Sequence, residues 1–235
     1  MHARARPSRP AAVEGVQLEA AHLHRLLAVS FRRSYPSRHV IFQPGEKATT
    51  LYYVQSGRLA LYGTHDDGQE LVLDYPGPGS FIGQVGMFME SHTRQSSLQT
   101  RGPAVLFEIT YKRLKALLQD EMADIAVPLL FAFGRDTAMR LRSTSRSAMD
   151  LAFLEVEARV ENALQALAAG RDSVAHSRGR VVRVSRAELG RLTGCSRESA
   201  GRAVAGLEAK GRLEAEGKSI LVLDAPATAF SQQAG

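Results

Sequence analysis

The sequence predicts an α+β protein: an N-terminal β-roll of jelly-roll type, a long helix, and a C-terminal winged helix-turn-helix. Three patterns in the 235 residues carry that prediction. Short alternating apolar segments fill the stretch from about Arg38 to Thr110, and apolar residues recur at helical spacing from Pro128 to Asp150. A strand, two capped helices and a hairpin can be read from Val181 to Asp224.

The chain begins MHARARPSRPAA, rich in Arg and Pro with no apolar stretch behind it, so residues 1–15 read as a disordered basic tail rather than a signal peptide. Residues 16–127 form the predicted roll domain. Its segments HVIF, TLYYV, RLALYG, ELVLDY, SFIG, SSLQT and AVLFEIT are separated by turn residues such as Pro44-Gly45, Ser56-Gly57 and Pro76-Gly77-Pro78-Gly79. Many short strands at spacings near ten residues fit a compact antiparallel roll. Asp67-Gly68 is a hairpin signal.

After Tyr111 the period becomes helical. Pro128 is suited to a first helical turn, which predicts a long helix over 128–150. Leu130, Phe133, Thr137, Leu141, Thr144 and Ala148 share one stripe of that helix. Two readings stand: a helix packed on its own roll, or the lightly apolar seam of a homodimer. Residues 151–225 form the second domain. It opens with the amphipathic EVEARVENALQALAAG, stopped by Gly170, and residues 226–235 are a tail.

Within that domain Ser185 caps a helix, with Glu188 three residues on in a capping-box pattern. Gly194 supplies the turn, and Ser196 caps the next helix. Ala200, Val204 and Leu207 make an apolar underside, opposite Arg197, Glu198 and Arg202 on the first two turns. A helix that reads the major groove needs this division. Arg pairs with guanine O6 and N7, and Glu accepts from cytosine N4. Arg186 and Lys218 are placed for phosphates, the latter at the tip of a wing. An ordinary solvated helix pair would also carry such charges.

The formal net charge is +6. Residues 1–40 contribute +5, residues 41–150 contribute −1 and residues 151–235 contribute +2, so much of the excess lies near the N-terminus. The balance fits a polyanionic partner, but placement has to decide. The single cysteine, Cys195, rules out an intramolecular disulfide. No apolar run is long enough to span a bilayer, and a cytoplasmic location is expected. The seven histidines form no HExxH pair, and no Walker loop or Ser–His–acid signature is present, so no enzyme is expected.

IGQVGMF followed by TRQS, the block DLAFLEVEARV, and VSRAELGRLTGCSRESAGRAVAGLEAKGRLEAEGKSILV together resemble the CRP/FNR family of bacterial regulators. The resemblance runs from about Tyr35 to Leu223. It implies a cyclic-nucleotide-binding roll, a dimerising helix and a winged helix bound to palindromic double-stranded DNA, with RNA polymerase as a further partner. In the family the positions of Arg197, Glu198 and Arg202 contact bases in TGTGA-like half-sites. Cys195 matches a buried cysteine there.

For the effector, the resemblance places Gly83, Gln84 and Arg94 on the phosphate-binding cassette, with Gln95 after the arginine and Thr144 and Ser145 meeting the base. Receptors for cAMP usually carry Glu at the Gln84 position and Ser at the Gln95 position, and Asp74 stands where a further serine is usual. The FMESHTR segment and a longer stretch between Tyr111 and Thr144 are similar to a CAP-like branch associated with cyclic di-GMP. A second phosphate would call on Arg140, Arg142 and Arg146, which are equally explained as a solvated face. Cyclic di-GMP and cAMP both stand as effectors, with no metal. A ligand-independent regulator, a signal-binding module without DNA activity, and a haem or redox sensor remain as alternatives.

Overall fold

The structure, a computed structural model, describes residues 18–89, 93–170 and 173–224. The basic tail and the C-terminal tail expected from the sequence lie outside the described residues.

Helix α1 (Ala20–Ala28) precedes eight strands: β1 (Phe31–Tyr35), β2 (Val40–Phe42), β3 (Thr50–Ser56), β4 (Leu59–Thr64), β5 (Glu70–Asp74), β6 (Phe81–Ile82), β7 (Ser97–Thr100) and β8 (Ala104–Thr110). They pair antiparallel in two four-stranded sheets, ordered β1-β8-β3-β6 and β2-β7-β4-β5. All seven segments expected as strands are strands, and Asp67-Gly68 lies in the turn between β4 and β5. β1 was not foreseen: it is an edge strand whose first four residues are exposed, so it lacks an apolar alternation. Between β6 and β7 lies the short helix α2 (Val85–Phe88).

Helices α3 (Tyr111–Gln119) and α4 (Ala123–Phe153) close the roll. Helix α4 begins at Ala123, so the start expected at Pro128 is corrected: the proline lies inside the helix. Proline there forfeits one backbone bond to residue 124. Burial offsets the loss, since Ile125, Leu129 and Phe133 are fully enclosed with Leu26, Leu51, Phe81, Ile109 and Leu114. Phe133 meets Phe81 edge-on, ring centres 5.0 Å apart. Phe133 therefore leaves the predicted seam and belongs to the roll core. The exposed stripe takes Gly134 in its place and runs Leu130, Gly134, Thr137, Leu141, Thr144, Ala148. One face of α4 thus lies on the roll, and the other points outward.

α4 ends at Phe153, and α5 (Val156–Ala169) starts after the extended residues Leu154 and Glu155. The third sheet, β11-β12-β10-β9, is built from β9 (Val174–His176), β10 (Gly179–Arg183), β11 (Leu213–Glu216) and β12 (Ser219–Leu223). All three residues of β9 are exposed, so the strand lacks an apolar alternation. Helices α6 (Arg186–Thr193) and α7 (Arg197–Ala209) pack on each other and on α5, with α7 against β11 and α5 against β10 and β12. Their core is Val160, Leu164, Leu189, Val204, Leu207 and Ile220.

Candidate DNA-reading helix and effector pocket

Both helices of the reading unit start on side-chain caps. Ser185 Oγ accepts from Glu188 N at 3.2 Å, and Ser196 Oγ accepts from Ser199 N at 3.1 Å. Each cap satisfies a backbone donor that the first turn leaves open. Between the helices Gly194 takes φ +60°, ψ +45°, a left-handed turn in which a side chain is strained. Ala200, Val204 and Leu207 are buried as expected, which fixes the roll angle of α7 about its axis. Arg197, Glu198 and Arg202 then stand exposed on its first two turns. Arg202 Nη2 donates to Ser199 Oγ at 3.0 Å, holding that side chain along the helix.

Lys218 is exposed in the turn of the β11–β12 wing. Arg186, at the first position of α6, is half-buried, and its Nη1 is enclosed without a hydrogen-bond partner among the described residues. Cys195 is partly buried and packs against the domain core, with its sulfur 3.2 Å from Thr193 Oγ1.

The roll presents a second set of groups. Gly83 has φ +94°, and a Cβ there would sit 2.8 Å from both Arg94 Nη1 and Thr50 O. Only glycine fits this cradle. Arg94 is buried, donates to Thr50 O at 2.7 Å and lies 4.3 Å from the Phe42 ring centre. Tyr111 Oη donates to Gly83 O at 2.5 Å, and burial pushes that phenol's pKa up.

Gln84 is 1% exposed, and its Nε2 has no hydrogen-bond partner among the described residues. A buried donor left open is costly unless a ligand completes it. Gln95 is exposed and donates to Thr93 O at 3.2 Å. Thr144 and Ser145 are exposed on α4, about one turn beyond Arg140.

Arg140, named from the sequence only as a cation for a second phosphate, joins this set of groups. Its Nε donates to Asp74 Oδ2 at 2.8 Å and its Nη2 to Phe81 O at 2.7 Å. Its Nη1 reaches Gln84 Oε1 at 3.5 Å. Arg142 and Arg146 stay exposed. The signal for Arg140 was its place four residues before Thr144; the Asp74 partner, 66 residues away, left none. Asp136, one turn earlier, accepts from Phe81 N at 3.2 Å, and burial raises its pKa despite that bond and the nearby Arg140 and Arg135.

A third constellation joins the two domains. Glu188 was expected to complete a capping box, but its carboxylate leaves the helix start. It accepts from Tyr75 Oη at 2.7 Å and pairs with Arg101 at 2.5 Å. The Arg101 guanidinium covers the Tyr75 ring at 4.6 Å. Burial, and then the Glu188 charge, push the Tyr75 phenol well above its ordinary pKa. Arg191 pairs with Glu70 at 3.1 Å and lies 5.4 Å from the Tyr62 ring centre. Leu192 bridges the core of the winged domain and the Tyr62–Val72 patch of the roll.

Among the described residues no group of His, Cys, Asp or Glu is placed to hold a metal ion, and no helix is long and apolar enough to cross a membrane.

Known proteins resemble this chain throughout. Residues 32–121 match the cyclic nucleotide-binding domain, and residues 182–213 match the bacterial regulatory proteins of the crp family. The CRP-like protein Clp of Xanthomonas euvesicatoria pv. vesicatoria (strain 85-10) is 44% identical over 211 residues, 90% of this chain and 92% of that one. Clp of Xanthomonas campestris pv. campestris (strain B100) has the same identity over the same length.

A solved structure described as the c-di-GMP responsive global regulator CLP of Xanthomonas campestris superposes with a TM-score of 0.84 at 44% identity, covering 88% of this chain and all of that one. A CRP-family regulator from Thermus thermophilus shares the fold, with a TM-score of 0.67 at 23% identity over 82% of this chain and 92% of that one. The sheet order, the capped reading helix and these relationships agree: the chain belongs to the CRP family of bacterial transcription regulators.

Proposed function

We propose that the protein acts as a cytoplasmic homodimer that reads palindromic TGTGA-like sites in double-stranded DNA under the control of a cyclic nucleotide. The observation that carries the DNA reading is the exposed set Arg197, Glu198 and Arg202 on a helix whose underside and cap are both fixed. Arg186 and Lys218 are assigned to phosphates, and Ser196 positions the helix start over the backbone. The homodimer is supported by the outward stripe of α4, whose alternating steps of three and four residues are those of a coiled-coil seam. Two reading helices then face half-sites one DNA turn apart. RNA polymerase is the partner that bound DNA would present to.

The effector reading rests on Gln84. Its unpartnered Nε2, beside Gly83 and the Arg94 cradle, fits an acceptor oxygen such as a phosphoryl oxygen. Thr144 and Ser145 would meet the base, and Gln95 would have to turn from Thr93 to join them. Cyclic di-GMP is the favoured effector, because the 44%-identical relative is described as responsive to it. A cAMP ligand is the second reading, supported by the retained Gly83, Arg94 and Thr144–Ser145 positions.

Calorimetry with cAMP, cGMP and cyclic di-GMP, each followed by operator titration, tests both halves. Heat with cyclic di-GMP and a changed operator Kd are expected. No heat with any of the three would sink the effector reading, and binding indifferent to sequence and salt would sink the DNA reading.

A further inference from the structure

We propose that Asp74 couples the effector pocket to the DNA-reading domain through its neighbour Tyr75, which holds Glu188 of α6. The inference rests on the reading of the roll as an effector site and names how that site reaches the DNA-binding half.

The two oxygens of Asp74 are divided between the partners that coupling requires. Oδ2 accepts from Arg140 Nε at 2.8 Å, while Oδ1 accepts from the backbone N–H of Tyr75 at 2.8 Å. On one side Arg140 leads to Gln84 Oε1, at the pocket's open donor. On the other the Tyr75 phenol donates to Glu188, whose carboxylate is also clamped by Arg101. Side chains and one peptide N–H thus run unbroken from Gln84 to α6.

Strand β5 is suited to transmit a displacement. It is the outer strand of its sheet, paired only with β4. A strand with one neighbour shifts without breaking a second ladder. α6 packs against it, through Arg191 on Glu70 and through Leu192 on the cluster that holds Val72. An anion arriving beside Gln84 competes with Asp74 for the Arg140 guanidinium, a charged donor that already reaches the Gln84 side chain. When Arg140 turns to the anion, Asp74 keeps only the Tyr75 N–H and loses the charge that held it inward. The Tyr75–Glu188–Arg101 clamp is the bistable part, either made or broken.

Two measurements on the full-length protein test this: backbone amide exchange across residues 189–193 of α6, and operator Kd by anisotropy with and without cyclic di-GMP or cAMP. Asp74→Asn is expected to change α6 exchange fivefold or more, and Tyr75→Phe to reduce that change below twofold. Tyr75→Phe should also leave nucleotide affinity within twofold while shrinking the nucleotide's effect on operator Kd at least fivefold. Arg140→Gln, which frees the same oxygen of Asp74, repeats the cycle should Asp74→Asn fold poorly.

An Asp74→Asn effect on α6 that is absent, or that Tyr75→Phe leaves untouched, overturns the coupling. A wild-type protein that binds neither nucleotide overturns the effector reading alone, and the exchange cycle still decides the coupling.

Discussion

The arginines of the reading helix and those of the roll are used in opposite ways. Arg197 and Arg202 project from α7 into solvent, supported by a core to which their charges contribute nothing. Arg94 and Arg140 are bound already: one lies over Phe42 and on Thr50 O, the other on Asp74 and Phe81 O. In the roll the proposed functional cations are also structural, and on the exposed face of α7 they are not. The reading unit therefore accepts change at its surface without losing its fold, whereas a change in the pocket alters stability and signal together.

Substitutions that separate the two roles test this contrast. Arg94→Ala removes a buried charged hydrogen bond and a cation–π contact, so a loss of about 2–4 kcal/mol in roll stability is expected by urea melting. An unchanged melt would remove the structural half of the comparison. Arg197→Ala should cost about 1–3 kcal/mol in operator binding at fixed salt. Its melting curve should stay within about 0.5 kcal/mol of wild type. Ser196→Ala deletes the α7 cap and should lower the stability of the winged domain by about 1 kcal/mol.

The smallest effect is expected from Asp136→Asn. Because burial raises the Asp136 pKa in the fold, ionising it costs more in the folded than in the unfolded chain. The wild type then loses stability as pH rises from the unfolded carboxylate pKa through the raised folded one. The asparagine variant should melt like wild type below the ordinary carboxylate range and slightly higher once Asp136 is ionised. A variant that melts lower at neutral pH would show that the charge, not its burial, matters at this position.

What could be read from the sequence depended on whether a residue's role was local. The strands of the roll were legible because alternation and turn residues repeat within ten positions, and the reading helix because Ser185, Ser196 and Gly194 act on their own neighbours. β1 was missed since FRRSY buries only Tyr35. Phe133 was assigned to the wrong face of α4. One face of that helix lies on the roll and the other is exposed, and Phe133 and Gly134 satisfy nearly the same spacing.

The partners of Glu188 lay beyond any local pattern. Its capping-box spacing was real, but Tyr75 and Arg101, 113 and 87 positions earlier in the chain, offered its carboxylate a less exposed site. Gly83, Gln84 and Arg94, like the positions of Asp74 and Arg140, came through resemblance; the structure adds that Asp74 and Arg140 pair, which they do only once α4 lies on the roll.

Gly194 has a consequence for how this regulator can vary. A left-handed turn ordinarily accepts asparagine as well as glycine. Here a Cβ on residue 194 would come within 2.8 Å of a Leu151 methyl near the foot of α4. Any side chain in the turn must push Leu151 aside, and Leu151 lies three residues before the break that joins the two domains. The most compact residue of the reading motif is therefore also a spacer at the hinge. Replacing it would strain the turn and repack Leu151 beside the break between the domains, so a single substitution there touches both.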